Sequence, residues 1–114
     1  MHEKVPDVVS ILGENWTIAF KDRAEDELLA SFAGYCDRTS RRIVIANYDG
    51  NLDNPSKYLH ECLRHEIIHA FAYECGLGDN WKHDTFGHDE MAIYWFAIQY
   101  PKIKEVYEQL GVEE

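Results

Sequence analysis

Hydrophobic and polar positions change period several times along this chain, and each change marks a predicted element. In residues 6–12 the apolar Val8, Val9, Ile11 and Leu12 fall at helix-compatible positions, and Gly13 follows where a helix C-terminal cap would stand. A short opening helix is expected. In residues 16–21, Trp16, Ile18 and Phe20 alternate with Thr17, Ala19 and Lys21, the period-two pattern of a half-buried strand. An acidic stretch around residues 24–26 breaks the alternation and reads as a loop. Residues 28–35 are apolar or small, Asp37, Arg38, Thr39 and Ser40 supply turn chemistry, and residues 42–46 are β-branched and apolar. That sequence predicts strand, turn, strand. The Asn-, Asp- and Gly-rich run NYDGNLDNP predicts an exposed loop.

The strongest periodic signal comes next. Asn54 and Pro55 suit an N-cap and first helical position, and no breaker follows until Gly76. Leu59, Leu63, Ile67, Ala70 and Phe71 recur at three- and four-residue spacings, so a long helix is expected. GLGDNWKHDTFGHD reads as loop. EMAIYWFAIQY reads as a buried helix ending before Pro101, and KIKEVYEQL as a final amphipathic helix capped by Gly111. These elements predict an α+β fold: a small antiparallel or mixed sheet of about three strands, packed on one long helix and two or three others.

Composition narrows the function classes. With 114 residues, 46% hydrophobic and 28% charged, residues 1–114 should form a single soluble domain with one core. A net charge of −10 and the lack of any basic stripe argue against nucleic acid and make a basic peptide or protein the better-matched partner. No apolar run reaches the ~20 residues of a membrane span, and residues 1–10 lack the apolar core of a signal peptide, so a cytoplasmic location is expected. The three cysteines, Cys36, Cys62 and Cys75, form no C-x-x-C pair and are expected to be buried thiols.

Chemistry concentrates in the long helix, where His65-Glu66-Ile67-Ile68-His69 matches H-E-x-x-H. Residues four apart lie one turn plus about 40° apart, so both imidazoles leave the same face and can grip one ion. Glu66, about 100° round from His65, can hold and deprotonate a water. Zinc suits imidazole and carboxylate ligands with one position left open, and lowers the pKa of its bound water towards ~7. The expected reaction is therefore zinc-dependent hydrolysis of a peptide bond in a protein substrate, with Glu66 as the base. Such a site needs a third protein ligand. Glu90, at the start of the second predicted helix, is preferred, with His88 next and Asp89 after it. Asp89 and Glu90 would also suit a helix N-terminus as acids favoured by its dipole. His83 and Asp84 lie in the polar loop. Glu61, one turn before His65, could accept that ring's second N–H, and Tyr94 could donate to a developing oxyanion.

The stretch LRHEIIHAF, with the later HDEMAIYWFA, resembles the compact zincin metallopeptidases of the gluzincin kind, especially the ImmA/IrrE-like proteins of bacteria, phages and mobile elements. In that family a second helix supplies a glutamate ligand shortly before an alanine and a Phe-Ala pair, and Glu90, Ala92, Phe96 and Ala97 look similar. Ile93 departs from the family pattern, which has asparagine after that alanine. The upstream GYCDRTSRRIVI resembles the family's strand-turn-strand, an edge on which a substrate peptide can lie as an added strand. The resemblance spans roughly residues 28–100 and implies peptide-bond hydrolysis without naming a target. A different class of function, a metal-stabilised regulatory or protein-binding module that hydrolyses nothing, keeps the same metal ligands but has no chemical need of Glu66.

Overall fold

The computed structural model describes residues 5–76 and 90–114, without the side chains of Glu90, Met91, Ile93 and Tyr94. Within them lie four strands, β1 (Val8–Ile11), β2 (Glu14–Lys21), β3 (Gly34–Asp37) and β4 (Arg42–Ala46), and two α-helices, α1 (Pro55–Glu74) and α2 (Glu90–Leu110). Short 3-10 turns occupy Arg23–Glu25 and Glu27–Ala30. The class is α+β, as expected. The sheet has four strands rather than about three, and among the described residues α1 has one α-helical companion rather than two or three.

The extra strand is the segment expected to open the chain as a helix. Val8, Val9 and Ile11 are β-branched, and burial alternates along the segment, so a strand satisfies them better than a helix does. Leu12 and Gly13 adopt φ of 50° and 88°, and Ile11 pairs with Glu14. Positive φ at both central residues is the signature of a type I′ hairpin turn, so Gly13 serves a turn and not a helix cap.

The sheet order is β1-β2-β4-β3, with β2 and β4 parallel and the outer pairs antiparallel. The chain leaves β2, crosses to the far edge to form β3, and returns through Asp37 to Arg42 to insert β4 in the middle. The Asp37 carboxylate accepts from the Thr39 amide at 2.9 Å, closing the turn as expected from its composition. β4 is apolar almost throughout because both its faces are covered. Ile43 and Ile45 join the main core, while Val44 and Ala46 join Leu29 on the other side. Residues 28–35 do not form the long strand expected of them. Asp26 accepts from the Leu28 amide at 3.1 Å, and the Arg23 guanidinium binds the carbonyls of Leu29 and Phe32, so the segment curls and only Gly34–Asp37 extends.

Helix α1 begins as its sequence dictates, with Asn54 accepting from the Lys57 amide at 3.1 Å and Pro55 in the first turn. Leu59, Leu63, Ile67, Ala70 and Phe71 are buried against Trp16, Ile18, Ile43 and Ile45. Full burial of each large aliphatic contributes about 1.5–3 kcal/mol before chain entropy is counted. The second helix does not stop at Pro101 but continues to Leu110. Proline deprives the carbonyl four residues back of its donor. That carbonyl belongs to Ala97, which is exposed, as is Pro101, so solvent can replace the lost bond. Ile103, Val106 and Leu110 then reach the same core, and the Trp95 indole donates to Sγ of Cys75 at 2.7 Å. Beyond α2, Val112 is buried and its carbonyl accepts from Arg64 at 2.7 Å. None of the helices among the described residues is long and apolar enough to cross a membrane.

Candidate metal centre

The face of α1 that turns away from the core carries the H-E-x-x-H residues. His65 and His69 are exposed, and Glu66, between that face and the core, is only 8% exposed. The two imidazoles converge, with their Nε2 atoms 3.2 Å apart and ring centroids 4.9 Å apart. Two nitrogens bound to one zinc at ~2.0–2.1 Å in a tetrahedron stand about 3.3 Å apart, so the separation of the pair matches that of two zinc ligands. At the same separation one neutral ring can donate a hydrogen bond to the other.

Strand β3 forms the opposite wall. A Cβ at Gly34 would stand 2.8 Å from Cδ1 of Ile45, 2.9 Å from the Val44 carbonyl oxygen and 3.5 Å from Cγ of Glu66. Only glycine fits β3 against β4 at this point, while Glu66 of the helix stands at ordinary van der Waals distance. Two residues on, the Cys36 thiol donates to the main-chain carbonyl of Glu66 at 3.0 Å. Burial pushes the Cys36 thiol well above its ordinary range, and the nearby Glu66 carboxylate adds to the effect, so Cys36 is a structural thiol and a poor nucleophile. Burial likewise raises the pKa of Glu66, opposed by His69, His65 and the hydrogen bond with Cys36.

These side chains floor an open cleft of about 330 Å³ bounded by Phe32, Tyr35, Cys36, His65, His69 and Tyr73. A second lobe of about 280 Å³ continues past His65 and Glu66 towards Ala33, Glu61 and Cys62. Tyr73, one turn after His69, has the guanidinium of Arg38 over its ring at 5.7 Å. Extending the His65, His69 spacing by four more residues would have found Tyr73. Gly34 and Cys36 lie on the predicted β3–β4 hairpin, but their place at the site, like that of Phe32, comes from packing against α1, a long-range contact that local spacing does not encode. All three cysteines are free and partly buried rather than fully so.

Of the expected ligands, the structure brings His65 and His69 together with Glu66 beside them. Glu90 is the first residue of α2, with its side chain outside the described set, and His88, Asp89, His83 and Asp84 lie outside the described residues altogether. Tyr94 is on α2, again without a described side chain. Among the described residues no group of three potential ligands is assembled. Glu61 makes no hydrogen bond to His65 and instead borders the second lobe. Comparison of the chain with protein-family models, with curated proteins and with solved structures returned no match.

Proposed function

We propose that this protein is a zinc metallopeptidase of zincin type that hydrolyses peptide bonds of a protein or peptide substrate. One observation carries the reading: two imidazole nitrogens at ligand spacing on a cleft floor, with a desolvated carboxylate beside them. His65 and His69 would hold the ion, with Glu90 the preferred third ligand, then His88, then Asp89. When bound, zinc supplies a Lewis acid that polarises a carbonyl and acidifies water.

The chain's own residues do the rest. β3 is an edge strand, and its outer side offers Gly34 to Asp37 backbone groups to a peptide lying along it as a fifth strand. That placement sets the peptide across the imidazole pair. Glu66 takes the proton from a water whose oxygen attacks the carbonyl carbon. It then passes that proton to the amide nitrogen as the C–N bond breaks, leaving a carboxylic acid and an amine. A carboxyl group raised above its usual range is better matched to accept and return a proton near neutrality than an ordinary surface glutamate.

The test is metal analysis of tag-free protein alongside proteolysis of unfolded substrates. Near-stoichiometric zinc, hydrolysis abolished by chelation and restored by zinc, and loss of turnover in Glu66→Gln with zinc retained are the expected results. Absence of zinc under chelator-free conditions, or a Glu66→Gln variant as active as the parent, overturns the reading.

A further inference from the structure

The second lobe of the cleft has a lining that the hydrolytic step does not use. Its walls are Phe32, Ala33, Gly34 and Cys62, and it opens directly beside His65 and Glu66. Phe32 is 57% exposed, so its ring stands as a lip rather than as core. Besides His65 and Glu66, the polar residue lining the lobe is Glu61, which is exposed and has no ion pair among the described residues. Burial raises the pKa of the Cys62 thiol and the Glu61 charge adds to the rise, which agrees with a carboxylate bordering the same lobe. The nearby cation Arg23 donates to the carbonyls of Leu29 and Phe32, which fixes its position and leaves its charge in place, so Glu61 and Glu66 together outnumber it at the lobe.

A lobe with apolar walls and two bordering carboxylates, Glu61 exposed and Glu66 buried, matches a side chain with a long aliphatic stem and a cationic head. A purely apolar side chain would fill the walls but gain nothing from Glu61, and an acidic one would meet like charge. Resting on the peptidase reading above, we infer that this lobe receives a lysine or arginine side chain of the substrate, with Glu61 the specificity-determining residue. The chain then cleaves within a residue or two of a basic position. Its net charge of −10 acts in the same direction, concentrating basic segments before they dock.

The experiment uses the zinc-loaded full chain and labelled decapeptides of Gly, Ala and Ser. A single Lys, norleucine or Glu is walked along the sequence, with binding read by anisotropy and cleavage by mass spectrometry. Norleucine keeps the lysine stem and drops the charge. At one position the expected order is Lys, then norleucine, then Glu, with Lys ahead of Glu by roughly tenfold, as attraction gives way to repulsion at a partly exposed pair. Glu61→Lys should reverse that order. Glu105→Lys, the same charge change beside the groove near β1, should leave it intact. The predicted order in binding without any cleavage would sustain the pocket and overturn the peptidase reading. Norleucine equal to or above Lys, an order unchanged in Glu61→Lys, or no binding and no cleavage at all would overturn the pocket.

Discussion

Glu66 and Glu74 lie about two turns apart on one helix, Glu66 buried and Glu74 half-buried. Their acidities move in opposite directions. Glu74 is held below the usual carboxylate range by the Arg41 guanidinium, with the Trp16 indole also donating to it. Both Arg41 Nε and Trp16 Nε1 stand 2.6 Å from its Oε2. Glu66 has no such clamp, and burial raises it. A carboxylate that fastens strands to a helix is matched with donors. One left desolvated on a cleft floor, beside two imidazoles, is matched to a proton that must come and go.

The sharpest way to break this contrast is to neutralise each glutamate in turn. Glu66→Gln should lower turnover by roughly 10²–10⁴-fold, the usual share of a general base. It should not lower the melting temperature, because a raised folded-state pKa means that ionisation of Glu66 opposes folding. A large loss of stability with turnover retained would reverse the roles assigned here. Gly34→Ala moves the wall instead of the carboxylate. The added methyl meets the Val44 carbonyl and Ile45, so about 1–3 kcal/mol of stability and about tenfold in turnover should go, with zinc content kept. Calorimetry, kinetics and metal analysis on one sample separate these effects.

Glu74→Gln should do the converse of Glu66→Gln, costing about 1–2 kcal/mol with turnover unchanged. Because folding depresses the pKa of Glu74, its stabilisation is present above the unfolded value of ~4.3 and fades as pH falls through the folded value. The acid limb of a stability profile should therefore be shallower in the variant. The smallest effect concerns Tyr107, which burial pushes up to about 12 against the pull of the Arg64 charge, and whose hydroxyl donates to the Arg64 carbonyl at 3.1 Å. Its stabilisation holds below the unfolded value of ~10 and is lost as pH rises towards about 12. Tyr107→Phe should cost about 1 kcal/mol and flatten that alkaline limb. Unchanged turnover there would separate burial that shifts a pKa from burial that serves chemistry.

The parts of the fold legible from sequence were those whose determinants are local. Helix α1, its Asn54 cap and the shared face of His65 and His69 follow from spacing alone, and β2 and β4 from alternation and β-branching. The misreadings arose where one residue type serves two geometries. Gly13 can cap a helix or turn a hairpin, and the pairing of β1 with β2 decides between them. Pro101 stops a helix only where the freed carbonyl cannot reach solvent. The wall of the candidate site was the least legible part, since Gly34 matters through a close approach to Val44 and Ile45 across the hairpin and Cys36 through a contact 30 residues away. Glu74 was invisible as a clamp for the same reason, its partners lying 58 and 33 residues off.

An edge strand that could pair with a peptide could equally pair with another copy of the same chain. Among the described residues β3 ends the sheet, near the exposed Phe32 and Leu28, a combination that favours sticking in concentrated solution. The ten excess negative charges set copies of the protein against one another at low ionic strength. Salt shortens that repulsion to about 3 Å at 1 M. Colloidal stability is thus tied to the openness of the cleft, and light scattering should register self-association at high salt that a short peptide occupying β3 suppresses.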